Sequence, residues 1–65
     1  MAVRRKQLIR IAFDVLDEGN KPLQADGDLY VTAADPDEAI EWVFMQMQQT
    51  FNRTDIRLAR VRVCA

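Results

Sequence analysis

Side chains from Gln7 to Leu16 sort well onto two alternating faces, one of them wholly apolar. Ile9, Ile11, Phe13 and Val15 share one face, and Leu8, Arg10, Ala12, Asp14 and Leu16 share the other. A period of two predicts a β-strand with one strongly apolar side. The following stretch, Asp17–Gly27, carries Gly19, Asn20, Pro22, Asp26 and Gly27, which are turn and loop residues, with Leu23 placed to pack back on the core. Alternation resumes over Asp28–Ala33, with Leu29, Val31 and Ala33 inward and Tyr30 and Thr32 outward. Two such strands joined by a longish loop predict an antiparallel hairpin.

The period then changes to that of a helix. Asp35 is a good N-cap, because its carboxylate can accept from the free amides of the first turn. Pro36 falls at the first helical position, where its missing N–H costs nothing. Glu38 stands at the capping-box spacing, and Asp37, Glu38 and Glu41 put negative charge near the positive end of the helix dipole. Ile40, Val43, Phe44, Met47 and Phe51 recur at helical spacing and predict the core-facing stripe. Asn52, in a connection expected over Thr50–Thr54, is a helix stop. Asp55–Cys64 predicts a third strand whose phase shifts along its length. Val61 and Val63 fit an inward face, while Ile56 and Leu58 have the opposite parity. Either a bulge near Ala59-Arg60 restores the phase, or Ile56 and Leu58 lie on the outer face; both versions leave Arg60 and Arg62 outward.

The order ββαβ predicts an α+β fold of two layers, a single small domain over residues 1–65 with a basic, flexible arm at Met1–Lys6. A right-handed passage from the second strand through the helix makes the third strand parallel to the second. The first strand, the longest and most apolar, then lies in the middle, giving a three-stranded antiparallel sheet of order 2-1-3 with one helix packed on one face. Ile9, Ile11, Phe13, Leu29, Val31, Val61 and Val63 are expected to meet Ile40, Val43, Phe44 and Met47. The opposite sheet face stays open and carries Arg10, Tyr30, Thr32, Arg60 and Arg62, with Leu8 and Leu16 nearby.

Trp42 breaks the helix pattern. At about 100° per residue it points away from the Ile40/Val43/Phe44/Met47 stripe, with Met45 and Gln49 on the same outward side and Gln46 at its border. An exposed indole partly covered by a loop would explain it. So would a contact patch, since Trp anchors interfaces and Met adapts its shape.

Composition narrows the function. Sixty-five residues with 49% hydrophobic content suffice for a small core and bury a smaller share of surface than a larger chain does. The single cysteine, Cys64, excludes an internal disulfide framework and favours a cytoplasmic origin. Leu8–Leu16 follows Arg4-Arg5-Lys6 in the manner of a signal peptide, but Arg10 and Asp14 interrupt it and no small-residue cleavage site follows. Nothing approaches the length of a membrane span, so no membrane partner is expected. Net charge is −1, yet residues 1–10 carry +4, residues 11–41 carry −8 and residues 42–65 carry +3. If the two basic ends meet in space, the fold has a basic and an acidic side.

The chain contains no His and no Ser, which removes the commonest general base, the commonest transition-metal ligand and a serine nucleophile. Cys64 has no His to activate it, and Asp26-Gly27-Asp28 and Asp35-Pro36-Asp37-Glu38 lack EF-hand spacing. Asp26 and Asp28 are a carboxylate pair, but so small a fold offers little room for a catalytic cleft. There is no P-loop and no dinucleotide fingerprint. An enzyme, a cofactor and a metal site are not expected.

Two function classes remain. A protein-interaction module, binding a partner or a second copy in a homodimer, would use Trp42, Met45, Gln46 and Gln49; small folds of this kind gain stability by association. A nucleic-acid binder would use the open face, with Arg10, Arg60 and Arg62 contacting phosphates and Tyr30 stacking on bases, supported by Arg4, Arg5 and Lys6. The pI near 5.2 favours the first class, and arginines on an edge strand also discourage strand addition. In size and ββαβ layout the chain resembles small accessory proteins of phages and mobile elements. That resemblance implies a protein that inhibits or redirects a larger host assembly by binding it.

Overall fold

A computed structural model describes residues 5–64. The arm expected over residues 1–6 therefore lies largely outside the described residues; Arg5 and Lys6 are exposed and precede the first strand. The elements follow the expected order: β1 Gln7–Leu16, β2 Pro22–Ala33, α1 Pro36–Phe51 and β3 Arg57–Cys64. Two bounds differ from expectation: α1 continues through Thr50 and Phe51 to its Asn52 cap, and β3 begins at Arg57, leaving Asp55 and Ile56 in the connection. The sheet has the order β2-β1-β3 with both pairs antiparallel, and α1 covers one face.

β2 is longer than the alternation predicts: at 12 residues against 10 it, not the central β1, is the longest strand. It begins at Pro22, so the loop expected over Asp17–Gly27 shrinks to a turn around Asp17–Lys21. There Asp17 accepts the Asn20 amide at 3.0 Å, and its Oδ1 accepts the Lys21 amide at 2.8 Å. Asn20, not Gly19, takes the left-handed conformation, at φ 65°. The Asp26-Gly27 pair reads as a turn in sequence and serves as a bulge in the fold. Phe13 pairs with Gly27 while Val15 pairs with Gln24, so β2 carries an extra residue there. Asp26, at φ 56°, absorbs it. A second shift follows between Val15 and Leu16.

β3 contains the bulge that the phase shift anticipated. Ala12 pairs with Arg62 and Asp14 with Ala59, and Arg60 stands at φ 52° between them. The bulge returns Leu58 and Ile56 to the helix side: Ile56 is buried, and Leu58 packs against the core.

The core comprises Ile9, Ile11, Phe13, Val15, Val31 and Ala33 of the first two strands, Ala39, Val43 and Met47 of α1, and Ile56. Leu23, Leu29, Ile40, Phe44, Phe51, Leu58 and Val61 pack around it. Two expectations change. The line of α1 that meets the sheet runs along Ala39, Val43 and Met47, which leaves Phe44 on its flank and only half-buried. Val63 has inward parity, opposite Ile11, but is 46% exposed. α1 touches β2 most and β3 least, so the end of β3 lies uncovered.

Candidate docking surfaces

α1 is held at both ends by the residues that its sequence signals. The Glu38 amide donates to Asp35 Oδ1 at 2.9 Å, and the Glu38 carboxylate accepts the Ala34 amide at 3.4 Å, one residue before the cap. Asn52 closes the helix at φ 53°, its amide directed at the carbonyls of Gln48 and Gln49. Between these ends, Trp42 is 45% and Met45 58% exposed, Gln49 is exposed and Gln46 half-buried. The four residues expected to form a patch thus lie along one flank of α1, from Gln46 beside the Val43 line through Trp42 and Gln49 to Met45 on the outward side. Met45 and Gln49 continue into a shallow, open hollow of 620 Å³ completed by Gln48 and by the Asn52–Asp55 segment. In that segment Arg53 donates to Asp55 twice, at 2.8 and 2.7 Å. These hydrogen bonds hold the Asp55 carboxyl below its ordinary pKa and push Arg53 up. Sequence reasoning missed this pair. The spacing Arg-x-Asp directly after a helix stop was the available signal.

The open sheet face is arranged in rows across the strands. Tyr30, Arg10 and Cys64 form one row, and Asp28, Ala12 and Arg62 the next. Arg10 reaches diagonally to Asp28, its Nε 3.0 Å from Oδ1 and its Nη2 2.5 Å from Oδ2. Hydrogen bonds from Arg10 hold the Asp28 carboxyl below its ordinary value of 3.8, and the same bonds push Arg10 upward. Arg60 sits with Nη1 3.8 Å from Asp14 Oδ2, while Asp14 Oδ1 accepts the Asp26 amide at 2.9 Å. Asp14 is thus the residue that both bulges oppose: one carboxylate satisfies the amide of the first and faces the guanidinium of the second. Its place in the middle of an apolar alternating strand was the signal for it. The small side chain of Ala12 leaves a 180 Å³ hollow rimmed by Arg10, Asp14, Asp28, Arg60 and Arg62.

Arg10, Tyr30, Arg60 and Arg62 therefore share one face, as expected, but two of the three guanidiniums lie beside carboxylates. Tyr30 is 63% exposed, and Arg62 is exposed with no ion pair among the described residues. Among the described residues, no group of three or more Cys, Asp or Glu could hold a metal ion, and no helix is long and apolar enough to cross a membrane. The chain finds no significant match among protein-family models, curated proteins or solved structures.

Proposed function

We propose that the chain is a small, non-enzymatic protein-interaction module. It works in the cytoplasm as an accessory protein that binds and modulates a larger assembly, of the kind phages and mobile elements carry. One observation carries the reading: a helix already anchored to its sheet by Ala39, Val43 and Met47 leaves Trp42 and Met45 in water beside a hollow. A large indole and a thioether side by side supply the apolar centre, and Gln46 and Gln49 the polar rim, of an interface.

Trp42→Ala tests it. Trp42 is outside the buried core, so at dilution, where the chain is unassociated, the variant is expected to unfold at the wild-type temperature. Its association with a partner, captured from the native host and identified by mass spectrometry, should weaken by about 2 kcal/mol or more. Unfolding of the isolated variant, or association left intact, overturns the assignment of this surface.

The nucleic-acid reading rests on Tyr30 and Arg62, exposed on the open face. It ranks second because Arg10 is committed to Asp28 and Arg60 faces Asp14, leaving little free positive charge for phosphates. Binding to generic DNA or RNA that falls steeply with salt, and that Arg60→Ala and Arg62→Ala abolish, would reverse the order.

A further inference from the structure

β2 is an edge strand whose two halves are built differently. The first half resists pairing. It begins at Pro22, carries both register shifts, turns Asp26 into the left-handed region and ends on Asp28. The second half, Leu29–Ala33, has no charge, no proline and no bulge, and it runs in unbroken register with β1 from Ile11 back to Gln7. β3, the other edge, is guarded by Arg57, Arg60 and Arg62 and by the Arg60 bulge. A strand that pairs with its own copy sets like residues near one another. β3 would then bring arginine against arginine, which repel, whereas Leu29–Ala33 brings no charges together.

α1 supplies the rest of the surface. Val43 points straight at the sheet, and Trp42 and Phe44 flank it by about 100° on opposite sides. With the right-handed connection that such β-α-β passages take, Phe44 turns toward β3 and Trp42 toward the free edge of β2. The burial agrees, because Ile40 and Phe44 pack against the core while Trp42 stays 45% exposed. Gln46 and Gln49 lie on the Trp42 flank.

We propose that the free edge of Leu29–Ala33 and the Trp42 flank of α1 form one interface, and that its occupant is a second copy of the chain. The two β2 strands pair antiparallel about a two-fold axis near Tyr30, joining two three-stranded sheets into one of six strands. The two Tyr30 side chains lie opposite or diagonal to one another, and the two Trp42 flanks meet above the seam. Strand spacing brings helices seated over β1 and β2 to about 10 Å, an ordinary packing distance. The proposal rests on the interaction-module reading of Trp42 and names the partner on that flank. Met45 and the hollow at the end of α1 stay open for a larger assembly.

Sedimentation equilibrium of the purified chain up to millimolar concentration, with circular dichroism as the fold control, tests it. The wild type is expected to dimerise. Tyr30→Lys and Tyr30→Glu should each weaken the dimer tenfold or more by placing like charges at the axis, and an equimolar mixture of the two should restore it as a heterodimer. Hydrogen exchange on the wild type reads the same edge without a substitution: amides of residues 29–33 that face away from β1 should gain protection as concentration rises. A wild type that stays monomeric, or a dimer indifferent to Tyr30→Lys and with no added protection at 29–33, overturns the proposal. A monomer that still loses a different partner on Trp42→Ala keeps the interaction-module reading and discards the second copy. A monomer without any Trp42-dependent association discards both.

Discussion

Gly27 shows how one residue sets the shape of the sheet. It faces Phe13 across the β1–β2 ladder, and a Cβ at this position would stand 2.8 Å from the Phe13 ring and 3.0 Å from the Phe13 carbonyl oxygen. The ring is fully buried and cannot swing away, and the carbonyl belongs to the central strand. Glycine is thus required by close approach, not by a positive φ, which its neighbour Asp26 adopts instead. Gly27→Ala should destabilise the fold by about 1–3 kcal/mol through overpacking, read as a lower urea midpoint with unchanged slope. The sequence offered Gly27 as a turn residue, because glycine in a turn and glycine under an aromatic ring look alike until the partner strand is known.

At the scale of elements, α1 and β2 contrast. α1 is specified locally: cap, first-turn proline, acidic start and Asn stop all lie within or beside it, and each acts at its expected end. Asp35→Ala removes the acceptor for the Glu38 amide and should cost on the order of 1 kcal/mol, measured by chemical denaturation, with the helix boundary otherwise preserved. β2 is specified by its neighbour. Its first half reads as loop because two register shifts break the period of two, and only pairing with β1 makes a strand of it. The same shifts make that half a poor edge and leave Leu29–Ala33 as the half able to pair again.

For the whole molecule, the uneven charge becomes two different edges. β2, with Asp26 and Asp28, and β3, with Arg57, Arg60 and Arg62, lie on opposite sides of β1. Arg10 on the central strand ties the acidic edge down through Asp28, and Arg53 holds Asp55 beyond the helix. Both carboxyls have folded pKa values below their ordinary 3.8. In that range the unfolded chain binds protons before the folded one does. The stabilisation is therefore complete well above the ordinary value and is lost as pH falls through it toward the folded values. Thermal unfolding followed from neutral pH to pH about 3 should show a falling midpoint, and Asp28→Asn should flatten part of that fall. Both pairs are exposed to water and salt, so the slope should also shrink at high ionic strength.

The sequence by itself determined the element order, the limits of β1, the start and stop of α1 and the strand order 2-1-3. Those features follow from period, capping chemistry and the apolar content of the central strand, which are properties of contiguous residues. It also put Trp42 and Met45 in water, since a helix with one committed face must turn its other side outward. Tertiary structure decided what depends on residues distant in sequence. The line of α1 that meets the sheet shifted to Ala39, Val43 and Met47, which half-exposed Phe44, because α1 seats nearer β2 than β3. The same offset uncovered Val63. The pairing of Arg10 with Asp28 needed the cross-strand register, which no local pattern encodes. Two bulges facing one carboxylate, Asp14, needed all three strands in place at once.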